Sequence, residues 1–302
     1  MPDADAILIA GPTASGKSER AMALARTHDG MVINADSMQV YAELRVLSAR
    51  PGVDEEAAVP HRLYGHVSAA TRYSVGRWLT DVTAVLAEAR ARRHVPIFVG
   101  GTGLYFKALT EGLVSIPPIP PEVRARVLAE AEAVAAPSLH ARLATLDPET
   151  AAGLRPSDRA RILRALEVHA ATGRPLAEWQ RGAGAPPLVD AGRASRIVLD
   201  PPRAWLHQRI AARADRMVHD GAIGEARALA ALGLSAEMPA MKAIGVRQFL
   251  DHDLGKLTLD EALAAVKTET RRYAKRQATW FRHQMADWPR QDPSEDGPPR
   301  NP

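Results

Sequence analysis

The chain of 302 residues contains no cysteine, and only six of its 39 basic residues are lysines. Without cysteine there is no disulfide, no thiolate nucleophile and no cysteine–zinc site. No uninterrupted apolar run approaches the roughly 18 residues that a membrane-spanning helix needs. The first residues, MPDADAILIAG, carry acids where a secretory signal peptide carries positive charge. We therefore expect a protein that is neither exported nor bound to a membrane, and a cytoplasmic location is compatible with this.

The composition is that of an ordinary globular protein, with 46% hydrophobic and 25% charged residues. It excludes a disordered chain, a collagen-like repeat and a coiled-coil rod. The formal net charge is +4, and arginine supplies most of the positive charge. Arginine forks match phosphate oxygens, but a compositional bias of the genome is the simpler explanation of the total. The clustering of the basic residues is therefore more informative than their number.

The first third of the chain alternates short apolar runs with helical patterns. The predicted strands are 6–10, 31–34, 62–67, 95–99 and 196–199, and the first predicted helices are 17–26 and 75–93. Short apolar runs that end in glycine or proline are typical of buried strands. Strands that alternate with helices predict an α/β fold, a parallel sheet with helices on both faces.

The pattern changes after residue 115. The segment 115–121, SIPPIPP, contains four prolines and cannot continue a helix or a central strand. Residues 122–180 then have an almost entirely helical pattern. We predict an α/β core made of residues 1–115 and 195–302, interrupted by a helical insertion domain of residues 116–194. The polar, proline-rich residues 291–302 predict a frayed tail.

Residues 11–18, GPTASGKS, match the phosphate-binding pattern G-x-x-x-x-G-K-[ST] between a strand and a helix. Backbone N–H groups of such a loop surround a phosphate, the lysine adds a charge and the final hydroxyl suits Mg²⁺. The candidate residues are Gly11, Pro12, Thr13, Ala14, Ser15, Gly16, Lys17 and Ser18. A Mg²⁺-nucleotide hydrolase usually has an acid after a second strand. The strand 95–99 runs into GGTG instead, which makes ATP hydrolysis less favoured and leaves other diphosphates open.

Two polar residues follow predicted strands directly. Asp36 follows the strand 31–34, and Thr102 follows the strand 95–99 between glycines. Ligands of parallel sheets bind at the carboxyl ends of the strands, so Asp36 is expected to face the cleft that contains Lys17. There it could bind Mg²⁺ or accept a proton from a nucleophile, and an Asx turn or a helix cap explains it equally well. Thr102 could bind an amine or a base edge, or could simply be exposed in a tight turn.

Basic residues cluster in several places. Residues 268–282 read TETRRYAKRQATWFR, and on a helix Arg271, Lys275, Thr279 and Arg282 share one face. Such a face suits a nucleic-acid backbone, although a solvated helix with its aromatic residues in the core is the commoner explanation. On the helix after residue 203, one of Arg209, Arg213 and Arg216 could reach a diphosphate, and Arg213 is the favoured candidate. The ten histidines show no metal-ligand spacing.

The ordered set of motifs resembles that of the bacterial tRNA dimethylallyltransferases, also called tRNA isopentenyltransferases. The motifs are GPTASGKS, INADSMQVY, VGGTGLYFKAL, PEVRARV, RILRALEV, MKAIGVRQ and KRQATWFR, and they span residues 6–282. One departure is SARP at 48–51, where many members have TAKP, and it keeps the hydroxyl and the charge. The expected fold is a P-loop NTPase-like core with a parallel sheet and a helical insertion domain.

The resemblance implies transfer of a dimethylallyl group from dimethylallyl diphosphate to N6 of the adenosine 3′-adjacent to the anticodon. By the same resemblance Lys17, Asp36 and Thr102 are catalytic, with Asp36 accepting the N6 proton. Mg²⁺ on Ser18 is the implied cofactor, Arg213 joins the loop 11–18 on the diphosphate, and the chain is expected to be a monomer. Both the insertion and the C-terminal basic helix are expected to bind the anticodon stem-loop of tRNA. The implied tRNA contacts are Asp36, Ser37, Met38, Gln39, Thr102, Arg124, Ala160, Arg161, Ile162, Leu163, Arg164, Lys242, Ala243, Ile244, Gly245, Val246, Arg247, Lys275, Arg276, Gln277, Ala278, Thr279, Trp280, Phe281 and Arg282.

Three other functions fit part of the pattern. A related enzyme that prenylates free adenine nucleotides would use the same chemistry, but it would not need the helical insertion or KRQATWFR. A small-molecule kinase would fit the phosphate-binding loop and would lack a reason for the extra basic surface. A non-catalytic RNA-binding protein would predict a degraded loop or a lost acid, and this sequence keeps both.

Overall fold

The computed structural model describes residues 5–182 and 184–295. The strands within them are β1 Ala6–Ala10, β2 Gly30–Asn34, β3 His61–Arg62, β4 Val95–Gly100, β5 Leu113–Val114, β6 Gly184–Ala185, β7 Ala194–Leu199 and β8 Arg290–Gln291. The helices are α1 Lys17–His28, α2 Val53–Ala58, α3 Val75–Arg92, α4 Gly103–Glu111, α5 Pro121–Ala131, α6 Ala136–Leu146, α7 Pro148–Ala152, α8 Arg159–Thr172, α9 Leu176–Arg181, α10 Arg203–His219, α11 Ala222–Ala231, α12 Val246–Asp253 and α13 Leu259–Gln284. A 3₁₀ turn spans Ala240–Lys242.

Six of the described strands form one parallel sheet in the order β3-β2-β4-β1-β7-β8. All five residues of β1 are buried, as expected of a central strand covered on both faces. Ile7 and Ile9 point to the face that α1 covers. Leu8 points to the other face, where it packs among side chains of α3, α4 and α13. The predicted parallel sheet with helices on both faces is confirmed.

The chain divides into two compact units, one made of residues 1–111 and 187–302 and the other of Gly112–Pro186. The second unit has its own core, in which Leu143, Ile162 and Leu166 are buried. An antiparallel pair, β5 and β6, joins its two ends. The second unit begins at residue 112 and ends at residue 186, whereas the predicted insertion domain spans 116–194. The residues that follow 186 belong to the first unit, where Leu188 and Val189 donate backbone hydrogen bonds to the Leu109 carbonyl oxygen. Within the described residues, no helix is long and apolar enough to cross a membrane.

Two local predictions were wrong in extent. The predicted strand 62–67 is reduced to β3 and an isolated bridge between Tyr41 and Val67. Leu63 and Gly65 have φ values of 64° and 54°, and this left-handed backbone interrupts the strand. The prediction of a frayed tail from residue 291 is wrong at its first residue, since Arg290–Gln291 forms β8 against β7. The tail residues 296–302 and the core residues 1–4 lie outside the described part of the chain.

A loop after β2, residues 45–51, is held by the helix α11. The carboxylate of Glu225 accepts hydrogen bonds from the backbone N–H groups of Arg45, Val46 and Leu47, at 2.8, 2.8 and 2.9 Å. The Gln39 side chain donates to the carbonyl oxygens of Ser48 and Ala49 at 3.0 and 2.8 Å. The shape of this loop therefore depends on the nearby Gln39 and on Glu225, which is distant in the sequence.

We expect Glu225→Ala to lower the free energy of unfolding by about 2–3 kcal/mol, because three partly buried N–H groups lose an ionised acceptor. Urea denaturation measures the change. A suitable control is Glu111→Ala, which removes only an exposed i,i+4 ion pair with Lys107 and should change stability by less than about 0.5 kcal/mol. Equal effects of the two substitutions would contradict the anchoring role of Glu225.

Candidate active site

A cavity of about 450 Å³ lies at the carboxyl ends of the central strands, around the loop that joins β1 to α1. Ala14 and Gly16 in this loop have φ values of 65° and 86°. Left-handed residues of this kind turn successive N–H groups inward and form an anion-binding concavity. The cavity is lined by Thr13, Ala14, Ser15, Gly16, Lys17, Ser18, Glu19, Asp36, Gln39, Ser48, Ala49, Pro51, Glu55, Trp205, Gln208, Arg209, Ala212, Arg213 and Arg216. Gly11 and Pro12, at the start of this loop, are buried and do not line the cavity.

Two cations in this cavity are poorly solvated. Burial lowers the pKa of Lys17 to about 8, although Asp36 opposes the shift. Burial likewise lowers the pKa of Arg213 to about 10, again against the effect of Asp36. The Arg213 guanidinium donates to Thr13 Oγ1 at 2.6 Å, and Lys17 Nζ donates to the Pro12 carbonyl oxygen at 3.3 Å. A bound anion would stabilise both charges, so the cavity suits a diphosphate.

Asp36 lies at the end of β2 and is both a turn residue and a cavity residue. Its Oδ1 accepts a hydrogen bond from the Met38 N–H at 2.9 Å, which is the Asx turn. The Asn34 side chain accepts from the Asp36 N–H and donates to its carbonyl oxygen. These bonds orient the carboxylate, and Asp36 still lines the cavity beside Lys17. The turn and the functional role are therefore compatible with each other.

Thr102 is hydrogen-bonded to the segment that contains Asp36. Its Oγ1 accepts from the Ser37 N–H at 2.9 Å and donates to Ser37 Oγ at 3.3 Å. Its own N–H donates to the Ala35 carbonyl oxygen at 3.2 Å. A Cβ on Gly100 would come within 2.0 Å of that carbonyl oxygen, so only glycine permits this approach. The ends of β2 and β4 are thereby held together, and Thr102 is hydrogen-bonded to the residues on either side of Asp36, although it does not itself line the cavity.

A second cavity of about 280 Å³ adjoins the first and shares Thr13, Asp36, Ser48 and Arg213 with it. One of its walls is apolar and consists of Leu47, Ile210, Ala214, Met217, Ile244 and Val266. Its polar lining includes Ser37, Tyr273, Lys242 and Arg276. Burial, with Asp36 nearby, raises the pKa of the Tyr273 hydroxyl, which is therefore neutral. Asp36 thus lies where a cationic cavity meets a partly apolar one.

The predicted contacts on α13 divide into two sets. Lys275, Arg276, Thr279 and Arg282 are exposed, Ala278 and Trp280 are half-buried, and Gln277 and Phe281 are buried. Phe281 belongs to the hydrophobic core of the first unit, so its side chain cannot touch RNA. In the segment 242–247 only Lys242 and Arg247 are exposed, while Ala243, Gly245 and Val246 are buried and Ile244 is half-buried. The exposed cations are the ones that remain candidates for side-chain contacts with RNA.

In the second unit, a buried carboxylate organises two of the predicted arginines. Glu167 is 7% exposed, and its oxygens lie 3.3 Å from Arg124 Nε and 3.8 Å from Arg164 Nη1. Ala160 and Arg161 are exposed and Leu163 is half-buried, whereas Ile162 is fully buried in the core of this unit. The arginines therefore form a charged group on α5 and α8, whereas the Ile162 side chain packs in the core of the unit.

The residues around Ser18 fit a metal held partly by the ligand. Among residues 5–182 and 184–295, no group of three or more acidic or histidine side chains could hold a metal by itself. Mg²⁺, however, is usually bound by one or two protein oxygens together with substrate phosphates and water. The exposed Ser18 hydroxyl and the Asp36 carboxylate share the first cavity and are suitable oxygens.

Sequence reasoning did not place several residues of this site in the first cavity. Arg209 donates to the Ala14 carbonyl oxygen and to Glu19 at 3.1 and 2.7 Å, and it stacks on the ring of Trp205. Arg209 is one of the three arginines considered for the diphosphate, but these partners could not be inferred because they lie almost 200 residues away in the chain. Ser48 lines the cavity because of the fold of the loop 45–51, which depends on the distant Glu225. Gln39, which the resemblance implies as a tRNA contact, also lines this cavity and is hydrogen-bonded to the same loop.

Two family models match the chain. One is described as "IPP transferase" and matches residues 39–284, and the other, "Isopentenyl transferase", matches residues 4–67. Among similar proteins, the tRNA dimethylallyltransferase of Azorhizobium caulinodans is 54% identical over 288 residues, which are 95% of this chain and 92% of the relative. The tRNA dimethylallyltransferase of Methylobacterium nodulans is 56% identical over 284 residues, which are 94% and 93% of the two chains.

Solved structures agree with these sequence matches. A full-length tRNA isopentenylpyrophosphate transferase from Bacillus halodurans is similar with a TM-score of 0.64 and 34% identity, over 95% of this chain and 89% of the other. A eukaryotic dimethylallyltransferase, described as acting on tRNA, has a TM-score of 0.74 and 28% identity, over 91% of this chain and 69% of the other. The similarity therefore extends over both units of the chain.

We expect the affinity for a short alkyl diphosphate to fall as the pH rises from 7 to 9. With a pKa of about 8, Lys17 is mostly charged at pH 7 and mostly neutral at pH 9, so the dissociation constant should rise by up to about tenfold. Isothermal titration at several pH values measures this. Lys17→Arg keeps its charge and should lose the pH dependence. An equally flat profile in the unmodified protein would refute the role of Lys17.

Proposed function

The chain belongs to the tRNA dimethylallyltransferase family, whose members transfer a dimethylallyl group to tRNA, and we propose the donor and the acceptor atom. The donor is dimethylallyl diphosphate, and the acceptor is N6 of the adenosine 3′-adjacent to the anticodon. One observation carries this proposal. Asp36 lies where the cavity that contains Lys17 and Arg213 meets the cavity with the apolar wall, so a diphosphate and an acceptor amine could both approach it.

The first cavity suits the diphosphate of the donor. The loop 11–18 offers backbone N–H groups, and Lys17 and Arg213 offer desolvated charges. As the bond between C1 of the donor and its bridging oxygen breaks, the electron pair stays on the diphosphate. Cations already in place stabilise that charge without reorganisation. A Mg²⁺ ion held by Ser18 would neutralise part of the same charge.

The acceptor chemistry falls to Asp36 and Thr102. An adenine amine is a weak nucleophile because its lone pair is delocalised into the ring, so holding it in line with C1 contributes much of the acceleration. N6 forms the new bond to C1 and gives up one proton. Asp36 accepts that proton, and Thr102, fastened to Ser37 beside it, contacts the base. The adenosine must leave its stack in the anticodon loop to reach a cleft of this depth.

The tRNA is proposed to lie on the exposed cations of the two units. On α13 these are Lys275, Arg276 and Arg282. In the second unit they are Arg161 and the group of arginines around Glu167. Contacts of this kind bind phosphates and position the RNA without reading its sequence. We further propose that the protein acts as a monomer in the cytoplasm.

We expect Asp36→Ala to lower the transfer rate at least about a hundredfold and to leave donor affinity within about threefold, since general-base catalysis contributes 10²–10⁴. Transfer of label from dimethylallyl diphosphate to unmodified tRNA measures the rate, and titration with the donor measures binding. Asp54→Ala, on the exposed first turn of α2, is the control and should react normally. Near-normal turnover of the Asp36 variant would exclude its role as the base.

Replacing Lys275 and Arg276 together with alanine should weaken tRNA binding and make it less sensitive to salt. Each phosphate contact contributes about 0.9 to the slope of log K against log salt concentration for duplex nucleic acid, so the slope should fall by about one to two. Filter binding at several salt concentrations measures it. The double variant Arg90→Ala/Arg92→Ala, on the last turn of α3, is the control. An unaltered slope in the α13 variant would show that these residues do not contact RNA.

The overall proposal is tested by offering labelled dimethylallyl diphosphate and Mg²⁺ with unmodified tRNA or with AMP. Label in N6 of the adenosine beside the anticodon, and none in AMP, is the expected result. Label in AMP alone would make the protein a nucleotide-prenylating enzyme. Label in neither would overturn the proposed donor, and consumption of ATP would then be measured.

A further inference from the structure

Gln277 lies on the inner face of α13 and is 6% exposed, although the motif KRQATWFR around it suggests an RNA-binding surface. Its Oε1 accepts a hydrogen bond from the Thr13 N–H at 2.9 Å. Its Nε2 donates to the Gly101 carbonyl oxygen at 2.9 Å. A single buried amide therefore joins the loop between β1 and α1 to the residues that follow β4.

The two partners of Gln277 belong to opposite sides of the proposed reaction. Thr13 lies in the diphosphate loop, and its hydroxyl is held by Arg213 at 2.6 Å. Gly101 precedes Thr102, which is hydrogen-bonded to Ser37 beside Asp36. The bond from Thr13 through Gln277 to Gly101 is thus a direct connection between the donor side and the acceptor side.

The backbone at Gly101 shows how closely this connection approaches the acid. A Cβ built on Gly101 would lie 2.1 Å from Gln277 Nε2 and 3.3 Å from Asp36 Oδ2. Any side chain at this position would displace the amide or the carboxylate. The absence of a side chain at Gly101 therefore leaves the space that the Gln277 amide occupies, close to the Asp36 carboxylate.

We propose that Gln277 is a positioning residue that sets the separation of the diphosphate loop from Asp36 and Thr102. The inference rests on the proposed function, because it concerns the alignment of the donor with the acceptor. An in-line attack of N6 on C1 of the donor requires precise alignment of the two substrates. A misplacement of about 1 Å can lower the rate about 10²-fold. Loss of the two hydrogen bonds lets the loop and the end of β4 move apart, which lowers the rate of the chemical step.

The role differs from that of the neighbouring cations on the same helix. Lys275 and Arg276 are exposed and are proposed to bind RNA, whereas Gln277 is buried and its side chain is hydrogen-bonded to Thr13 and Gly101. Substitution of Gln277 therefore acts on the rate of transfer after both substrates have bound. The affinity for tRNA should remain within about twofold.

The test is a single-turnover experiment. Enzyme and tRNA are both in excess of labelled dimethylallyl diphosphate, at concentrations that bind all of it. Gln277→Met keeps the length of the side chain and removes both hydrogen bonds. We expect its rate constant to fall at least tenfold while the amplitude stays near that of the unmodified protein. A merely structural defect lowers the amplitude, through loss of active molecules, and leaves the rate constant of the remaining molecules unchanged.

Gln248→Met is the matched control. Gln248 is 7% exposed, accepts from the Gly245 N–H at 2.9 Å and donates to Glu269 at 2.8 Å. Unlike Gln277, it does not join the loop 11–18 to the residues that follow β4. The same substitution there removes two buried hydrogen bonds and should leave the rate constant within twofold. Gln277→Glu is a second variant, which keeps an acceptor for the Thr13 N–H and should fall between Gln277→Met and the unmodified protein.

A rate constant within twofold of the unmodified value in Gln277→Met would overturn the inference and leave the proposed function intact. If Gln277→Met does not fold, Gln277→Glu decides, and an unchanged rate constant in it would overturn the inference as well. Absence of transfer by the unmodified protein in the same assay would overturn the proposed function, and the inference would fall with it.

Discussion

The parallel pairing of β1 with β4, and of β4 with β2, is the constraint on which the site depends. Ala10 pairs with Gly100, and Asn34 pairs with Val99, so the three strands end at the same edge of the sheet. Each strand is followed by a loop at that edge. Because the strands run in the same direction, loops that are distant in sequence lie next to each other there. The phosphate-binding loop, Asp36 and Thr102 are neighbours for this reason.

Electrostatics then decides what the edge can bind. Lys17 and Arg213 have lowered pKa values because the surrounding protein removes water from them, and Asp36 only partly compensates. An unliganded site with two desolvated cations and one carboxylate has excess positive charge, which a diphosphate neutralises. In the proposed reaction, the leaving diphosphate carries more charge than the donor does. The same cations therefore interact more strongly with the product side of the reaction than with the donor.

Local sequence was sufficient for the elements whose partners lie close in the chain. The apolar run of β1, the following GPTASGKS and the acid after β2 are each recognisable in a short stretch of sequence. They predict the phosphate-binding loop and the position of Asp36 near it. The strand 62–67 was overestimated because its interruption at Leu63 and Gly65 depends on left-handed backbone. The anchoring of the loop 45–51 by Glu225 had no local signal, since the carboxylate lies some 180 residues away.

KRQATWFR shows the same limit in another way. Its positive charge and aromatic residues predict an RNA-binding helix, and its spacing places Lys275 and Arg282 on one face. Only the packing of α13 reveals that Gln277 and Phe281 are buried. A glutamine among arginines is most simply taken for another surface residue. Its two buried partners, Thr13 and Gly101, become visible when the whole sheet is assembled.

The missing acid after β4 has a structural explanation in these contacts. A nucleotide hydrolase with this type of loop usually has a carboxylate after a neighbouring strand, where it supports the metal. Here that place is taken by Gly100 and Gly101, where a side chain would collide with the Ala35 carbonyl oxygen and with Gln277. The acid is instead supplied by the next strand, as Asp36, at the junction of the two cavities. A carboxylate in that position is better placed to receive a proton from an acceptor amine than to activate water beside a terminal phosphate, and this favours group transfer over hydrolysis.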